Sequence, residues 1–505
     1  MKKNVLVVFG ILGLTLAGCN FGGSASQASS AASDSGNVSA SDSFSGDDVG
    51  QAGEKEIQFW HCIGHDKMRN LQRIIQKFND DNKDSGYYVK AYQIAGSYDA
   101  LNDAVKTKLN AGFVPSLTMG YPDSFAEYIG FNGAEKSNIL NLDATIAADA
   151  SFSASSFVEQ FYKEGQSYQY SGTYSLPLYK STEVMYYNKD LFQASAYYKA
   201  HKDETNARGA KLGDPSTWDW DTLVDVAKAI QEEKTGTPDF HALGYDSDAN
   251  LFISQMAQRN IPYTTSEAKG GAHFTFFDTE KDAPNADLVD FATSVFDLTK
   301  SGALVTQGSY GSYASDLFLK KDVMFTIGST GGSTYNEPNG AFQCGLAPVP
   351  CYQGNKKYIM QGPSLCFFDT KSAARQAKTW EFYSKYVSDD TLNAQLALEN
   401  SYDPVKTASF DTTSYQDWCA NGLDSSGNDD TTAQLQYRIP NLTKTLRTNY
   451  ITSPVFIGSS TARTEIGSII KYAREAGAGV DSKKAVSDAI IKAFDNCVNA
   501  STPNA

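Results

Sequence analysis

Glu56-Ile57-Gln58-Phe59-Trp60 opens the stretch that decides the fold, which runs on to Ser116-Leu117-Thr118-Met119. The first five residues have the composition of a short buried strand and lead through His61-Cys62-Ile63-Gly64 into a helix. Met68, Leu71, Ile75 and Phe78 fall on one face of that helix. Tyr87-Tyr88-Val89-Lys90-Ala91-Tyr92 reads as a second strand. Tyr98, Leu101, Val105 and Leu109 then mark a second amphipathic helix, closed by Ala111-Gly112, and Ser116 to Met119 supplies a third strand. Strand, helix, strand, helix, strand predicts a parallel sheet with crossover helices.

The same alternation continues outward. Ser175-Leu176-Pro177-Leu178-Tyr179 is extended and Glu183-Val184-Met185-Tyr186-Tyr187-Asn188 is a strand. Thr217 to Asp221 brings capping residues to a helix with Leu223, Val226 and Ile230 inward. A further helix carries Leu288, Phe291, Val295 and Leu298; a strand, Asp322 to Ile327, ends in Gly328-Ser329-Thr330-Gly331-Gly332. Gln361-Gly362-Pro363-Ser364 feeds another strand, and Ala374 to Val387 is helical, as is the stretch with Val486, Ile490 and Phe494. No repeat of fixed period occurs, and about 450 residues of mixed α/β pattern predict two lobes.

The first residues carry a separate message. Met1-Lys2-Lys3 precedes an apolar run, Val5 to Leu16, too short for a bilayer span of ~20 residues. Leu16-Ala17-Gly18-Cys19 resembles the lipobox of bacterial lipoproteins. That resemblance implies a signal peptide over 1–18 and a diacylated Cys19, two chains giving durable anchoring. Residues 19–53 are almost all Ser, Ala, Gly and Asp and predict a disordered tether. The expected location is the outer face of the cell membrane, held by lipid.

Composition narrows the function. The 505-residue chain is 41% hydrophobic and 12% aromatic, with 29 Tyr and 28 Phe. Its net charge is −15, and losing Lys2 and Lys3 with the leader makes the mature chain more acidic still. Such a protein is a poor partner for nucleic acid. Six cysteines beyond Cys19 are scattered without CxxC spacing; Cys344 and Cys351, flanking Gly-Leu-Ala-Pro-Val-Pro, are placed to pair across a tight loop. No Gly-Lys dipeptide and no HExxH occurs, so neither a phosphate loop nor a zincin is present. Gly362-Pro363-Ser364-Leu365-Cys366 lacks the closing glycine of a nucleophile elbow. His61 and His65 are four apart, but the first ends a strand, which spoils helical metal geometry. Carboxylates are plentiful and nothing singles out a glycosidase pair. No catalytic residue, metal site or cofactor is expected.

An ordered set of motifs is informative. Phe59-Trp60-His61, then Leu176-Pro177-Leu178-Tyr179-Lys180-Ser181-Thr182 with Val184 to Phe192, Trp218-Asp219, Gly345 to Pro350 and Gly362-Pro363-Ser364-Leu365 follow one another in order. From Glu54 to Asn496 the chain resembles the extracellular solute-binding proteins of ABC importers, family 1, and most of all their glycerol-3-phosphate-binding branch. The resemblance implies a type II periplasmic-binding-protein-like α/β fold, with a ligand cleft between lobes joined by two or three hinge crossings. It implies an N-terminal lobe of 54–176 and 362–402 and a C-terminal lobe of 177–361 and 403–505. The implied work is capture of a solute, by a monomer, for membrane permease subunits.

Two ligand classes fit, a sugar or oligosaccharide first and a polyol phosphate such as glycerol-3-phosphate as the alternative; a cell-surface glycoside hydrolase is a third reading. Sugar binding wants aromatic faces, which brings in Trp60; phosphate wants a guanidinium. By resemblance the cleft is lined by Tyr98, Ser181, Ser329 or Thr330, Gly362, Ser364, Tyr402 and Arg463, with Arg463 on the phosphate. Asp123 stands where the branch carries a Glu. Lys180 is a second departure, expected to add charge to the cleft or to sit in solvent.

Overall fold

A computed structural model describes residues 52–130, 138–267, 273–477 and 479–501. The leader, Cys19 and nearly all of the expected tether lie outside the described residues. In chain order the strands are β1 (Glu56–His61), β2 (Tyr88–Gln93), β3 (Leu117–Gly120), β4 (Ser175–Pro177), β5 (Glu183–Asn188), β6 (His241–Tyr245), β7 (Phe277–Asp278), β8 (Ala283–Pro284), β9 (Leu304–Thr306), β10 (Val323–Ser329), β11 (Cys344–Pro348), β12 (Tyr358–Ile359), β13 (Ser364–Phe367) and β14 (Tyr450–Ile451). They build two five-stranded sheets, ordered β2-β1-β3-β13-β4 and β11-β5-β10-β6-β9.

β1 is buried along its whole length because it is hydrogen-bonded on both sides, parallel to β2 and to β3. The crossovers are α1 (Arg69–Asp81) and α2 (Tyr98–Asn110). α1 buries Leu71, Ile74 and Phe78, so the inward face is centred on Ile74 where the sequence pattern pointed to Ile75. Phe78 meets Phe382 and Tyr386 edge-on, each at 5.3 Å, which fastens α1 to the helical segment that follows β13. Ser97 caps α2 by accepting from the Ala100 amide, and Leu101, Val105 and Leu109 face the sheet. α3 (Pro122–Gly130) begins directly after β3.

The parallel order ends there. β13 comes from far along the chain and pairs antiparallel with β3 and β4; in the second sheet β5 is antiparallel to both β10 and β11. Both sheets are therefore mixed.

Two chain segments join the two sheets, from β4 to β5 and from β11 to β13, and a third segment, at Asp403, lies beside the first. Lys180 and Asp403 exchange backbone hydrogen bonds of 3.0 and 2.6 Å, and Ser181 and Gln361 exchange two of 2.8 Å. The Thr330 amide donates to the Thr182 carbonyl at 2.8 Å. The molecule is thus a two-lobed α/β protein with a short hydrogen-bonded ladder at the junction. No described helix is long and apolar enough to cross a membrane.

The expected Cys344–Cys351 bridge is not formed; all six described cysteines are free thiols. β11 starts at Cys344 and stays extended to Pro348, ~13 Å at strand rise, and Cys351 then bridges to Asp219. That carries the two residues away from the ~7 Å limit between Cα atoms of a disulfide.

Candidate ligand-binding cleft

The parallel strands of both sheets run toward the junction, so the residues just after their C-terminal ends gather there, where open α/β sheets bind ligands. Tyr98 follows β2, Tyr121 and Asp123 follow β3, and Asp246 and Asn250 follow β6. Ser329 ends β10 and Thr330 begins the turn after it.

Asp123 and Arg463, far apart in sequence, meet. Arg463, on the helix Ser459–Gly467, places Nε 3.6 Å from Asp123 Oδ2. Ser459 donates to the other carboxylate oxygen at 2.8 Å. The helix Ser459–Gly467 packs on the helices Asp248–Arg259 and Ser482–Ser501 of the second lobe, while Asp123 sits in the first turn of α3 on the first. The contacts therefore span the cleft. Behind Arg463, its Nη1 donates to Asn250 Oδ1 at 2.7 Å, and Asn250 Nδ2 donates to Glu183 Oε1 at 2.8 Å.

Tyrosines form the other wall. The ring of Tyr98 lies 4.6 Å from that of Tyr121, and Tyr179 lies 4.4 Å from Tyr402. Burial pushes the hydroxyl of Tyr402 up to about 12 and those of Tyr98 and Tyr179 well above the ordinary tyrosine value, so all stay protonated and able to donate. Tyr402 reaches from one lobe to the other. A Cβ on Gly362 would lie 3.1 Å from its Cε1, and one on Gly331 only 2.6 Å from its hydroxyl. Gly362 also has φ +100°, which favours glycine outright.

The other predicted residues divide. Ser181 is buried at the junction, and its hydroxyl has no hydrogen-bond partner among the described residues. Such a group is satisfied by water or by a ligand. Ser329 Oγ accepts from the Gly331 amide at 3.2 Å, capping the turn, and Thr330 is buried against Thr182. Trp60 is 1% exposed inside β1 and donates to Gln58 Oε1 at 3.3 Å, which sets its ring in the core.

Ser364 and Gly362 join a buried lock. Lys180, expected in solvent or in the cleft, is wholly buried: its ammonium contacts the Glu164 carboxylate, the Gly362 carbonyl at 3.0 Å and Ser364 Oγ at 2.9 Å. Ser364 in turn donates to Glu164 at 3.1 Å. Burial lowers the Lys180 pKa, with Glu164 pulling the other way.

A family model of bacterial extracellular solute-binding proteins matches residues 73–422. This chain belongs to that family. Among similar relatives, the sn-glycerol-3-phosphate-binding periplasmic protein UgpB of Agrobacterium fabrum is 27% identical over 369 residues, covering 71% of this chain and 76% of its own. The UgpB of Pectobacterium atrosepticum is 22% identical over 373 residues, 73% of this chain and 77% of its own. Solved structures share the fold. UgpB of Mycobacterium tuberculosis in complex with glycerophosphocholine has a TM-score of 0.61 at 16% identity, covering 88% of this chain and 98% of that one. The ABC substrate-binding protein Lmo0181 of Listeria monocytogenes in complex with cycloalternan has a TM-score of 0.60 at 15% identity, covering 88% and 97%.

For an extracellular solute-binding protein, the informative additions to the sequence reading are Glu183, Asn250, Tyr121 and Glu164. Tyr121 stands beside Asp123 in sequence, and its tilted ring contact with Tyr98 follows from the parallel neighbours β1, β2 and β3. The other three carry no local signal; each becomes significant only through its partner.

Proposed function

We propose that this protein is the solute receptor of an ABC importer, anchored outside the cell membrane through lipidated Cys19, and that its solute is a polyol phosphate of the glycerol-3-phosphate class. The observation that carries the reading is the meeting of Arg463 with Asp123 across the cleft, beside a wall of protonated tyrosines. A guanidinium offers a planar fork to phosphate oxygens, and a carboxylate with tyrosine hydroxyls suits the polyol hydroxyls. The relatives named for sn-glycerol-3-phosphate support the same choice.

The receptor performs no covalent chemistry. A solute touching both lobes stabilises the closed form, and the permease subunits recognise that form. The lobes assigned are 54–176 with 362–402 and 177–361 with 403–505. A neutral oligosaccharide is the second reading, favoured by the tyrosine pairs Tyr98–Tyr121 and Tyr179–Tyr402.

The test is the thermal shift of the purified chain with sn-glycerol-3-phosphate, glycerophosphocholine and maltose-type oligosaccharides. Ligand at a hundredfold excess over Kd stabilises by ~2.7 kcal/mol. A shift with a phosphate compound that vanishes in Arg463→Ala supports the polyol-phosphate reading. A shift with oligosaccharides alone, retained in Arg463→Ala, replaces it with the second.

A further inference from the structure

We propose that Glu183 is a positioning residue of the cleft, setting the affinity for an anionic solute by holding Arg463 in place through Asn250 without touching the solute. The inference rests on the polyol-phosphate reading of Arg463.

Glu183 is the first residue of β5 and directly follows the hinge ladder. It is buried, and both carboxylate oxygens are engaged: Oε1 accepts from Asn250 Nδ2 at 2.8 Å and Oε2 from the Tyr245 hydroxyl at 2.6 Å. A carboxylate only accepts and a guanidinium only donates. Asn250, standing between them, must therefore give its amide nitrogen to Glu183 and its oxygen to Arg463. One edge of the Arg463 fork is fixed by this chain, and Nη2 makes no hydrogen bond among the described residues. A mount on one edge with a free donor on the other is what a phosphate oxygen requires.

The charges around Glu183 come from several elements. Arg463 reaches it from the helix Ser459–Gly467, and Asp246 lies just past the end of β6. Asp248, on the neighbouring helix, is spent on Thr306 Oγ1 at 2.6 Å and the Gly308 amide at 2.9 Å. Asp123 lies beyond Arg463, and paired β10 contributes no charge at Ser329. Burial pushes the Glu183 carboxyl up to about 7; Asp246 adds to that, while Tyr245, Asn250 and Arg463 oppose it. A carboxyl group in so costly a place, with both oxygens engaged, is explained by what it holds.

The experiment is calorimetric titration of sn-glycerol-3-phosphate into the full chain and its variants from pH 6 to 8. Glu183→Gln removes the charge at constant shape, and about tenfold weaker binding is expected at pH 8, the scale of one charge-assisted hydrogen bond. The ratio of variant to parent Kd cancels protonation of the ligand itself, and it should shrink toward pH 6 as Glu183 takes up its proton. The double variant Glu183→Gln/Asn250→Ala should bind no more weakly than Asn250→Ala alone, because the two act in series. A purely structural Glu183 would move neither the pH trend nor this coupling. Unchanged affinity in Glu183→Gln at pH 8, or full additivity with Asn250→Ala, overturns the inference. If Glu183→Gln does not fold, Tyr245→Phe, which strips one hydrogen bond from Oε2, should weaken binding severalfold, and no effect there overturns it equally. Parent-like binding by Arg463→Ala, or no binding by the parent chain, instead sinks the polyol-phosphate reading itself.

Discussion

Lys180→Met takes a charge from a position where no water can replace it. The Lys180 side chain is 0% exposed and that of its partner Glu164 8%. The ammonium is shared by three acceptors: Glu164, the Gly362 carbonyl and Ser364 Oγ. Methionine fills nearly the same volume, so packing is kept while the Gly362 carbonyl loses the Lys180 donor and the Glu164 carboxylate keeps only the Ser364 hydroxyl. Removing one partner of a buried pair costs about 3–5 kcal/mol, mostly from the charge left behind. The orphaned carbonyl places the expected loss in the upper half of that range. Neutralising the stranded partner should return most of it, since an apolar or neutral replacement of a whole buried pair is close to neutral. Lys180→Met/Glu164→Gln is therefore expected within about 2 kcal/mol of the parent. Urea unfolding followed by tryptophan fluorescence measures both variants. A single variant less than about 1 kcal/mol below the parent, or a double variant worse than the single, would refute a charge lock at the hinge.

Two further outcomes follow from the same geometry. Glu183 has a folded-state pKa of about 7 against an ordinary 4.5, so the native chain holds its proton more tightly than the unfolded one. The associated stability is complete below about pH 4.5 and lost as pH rises through about 7, on the order of 3 kcal/mol. Glu183→Gln should flatten that slope in ligand-free melts at pH 5 and pH 8, whereas profiles that run parallel to the parent's would count against it. Gly331→Ala puts a Cβ 2.6 Å from the Tyr402 hydroxyl, so the ring must move; a stability loss of about 1–3 kcal/mol with weaker solute binding is expected by melting and titration.

The strands and helices were legible wherever their signal is local. β5 occupies Glu183–Asn188 as its β-rich run predicts, and α2 begins at Tyr98 under the Ser97 cap. The antiparallel insertion of β13 between β3 and β4 was not legible, because a strand's direction is set by where the chain returns from, more than 240 residues after β3. The site divides in the same way. Asp123, Ser181 and Arg463 were reachable through the ordered family motifs, and two of them do meet. The burial of Lys180 was not legible, because a lysine beside Ser-Thr reads as a cleft charge or a solvent one; its partner, Glu164, ends a six-residue helix that nothing in the sequence links to it. Asn250 is one more polar residue near a helix start until Arg463 is seen to need it.

The two hidden networks share one short chain segment. Lys180 and Glu183 are three residues apart on the first crossing and have opposite charges, and each is buried toward a different lobe. Lys180 ties the crossing to Ser364 at the start of β13, in the first sheet, and Glu183 ties it to Asn250 and Arg463 in the second. Neither charge can leave its site without stranding a partner, so the crossing cannot slide along its axis. On the proposed role, closure must then be absorbed between these anchors, at Ser181 and Thr182. There the backbone is already laddered to Gln361 and Thr330, and the Ser181 hydroxyl has no hydrogen-bond partner among the described residues. A solute held by Arg463, as proposed, would in this way be connected through Asn250 and Glu183 to the crossing between the lobes.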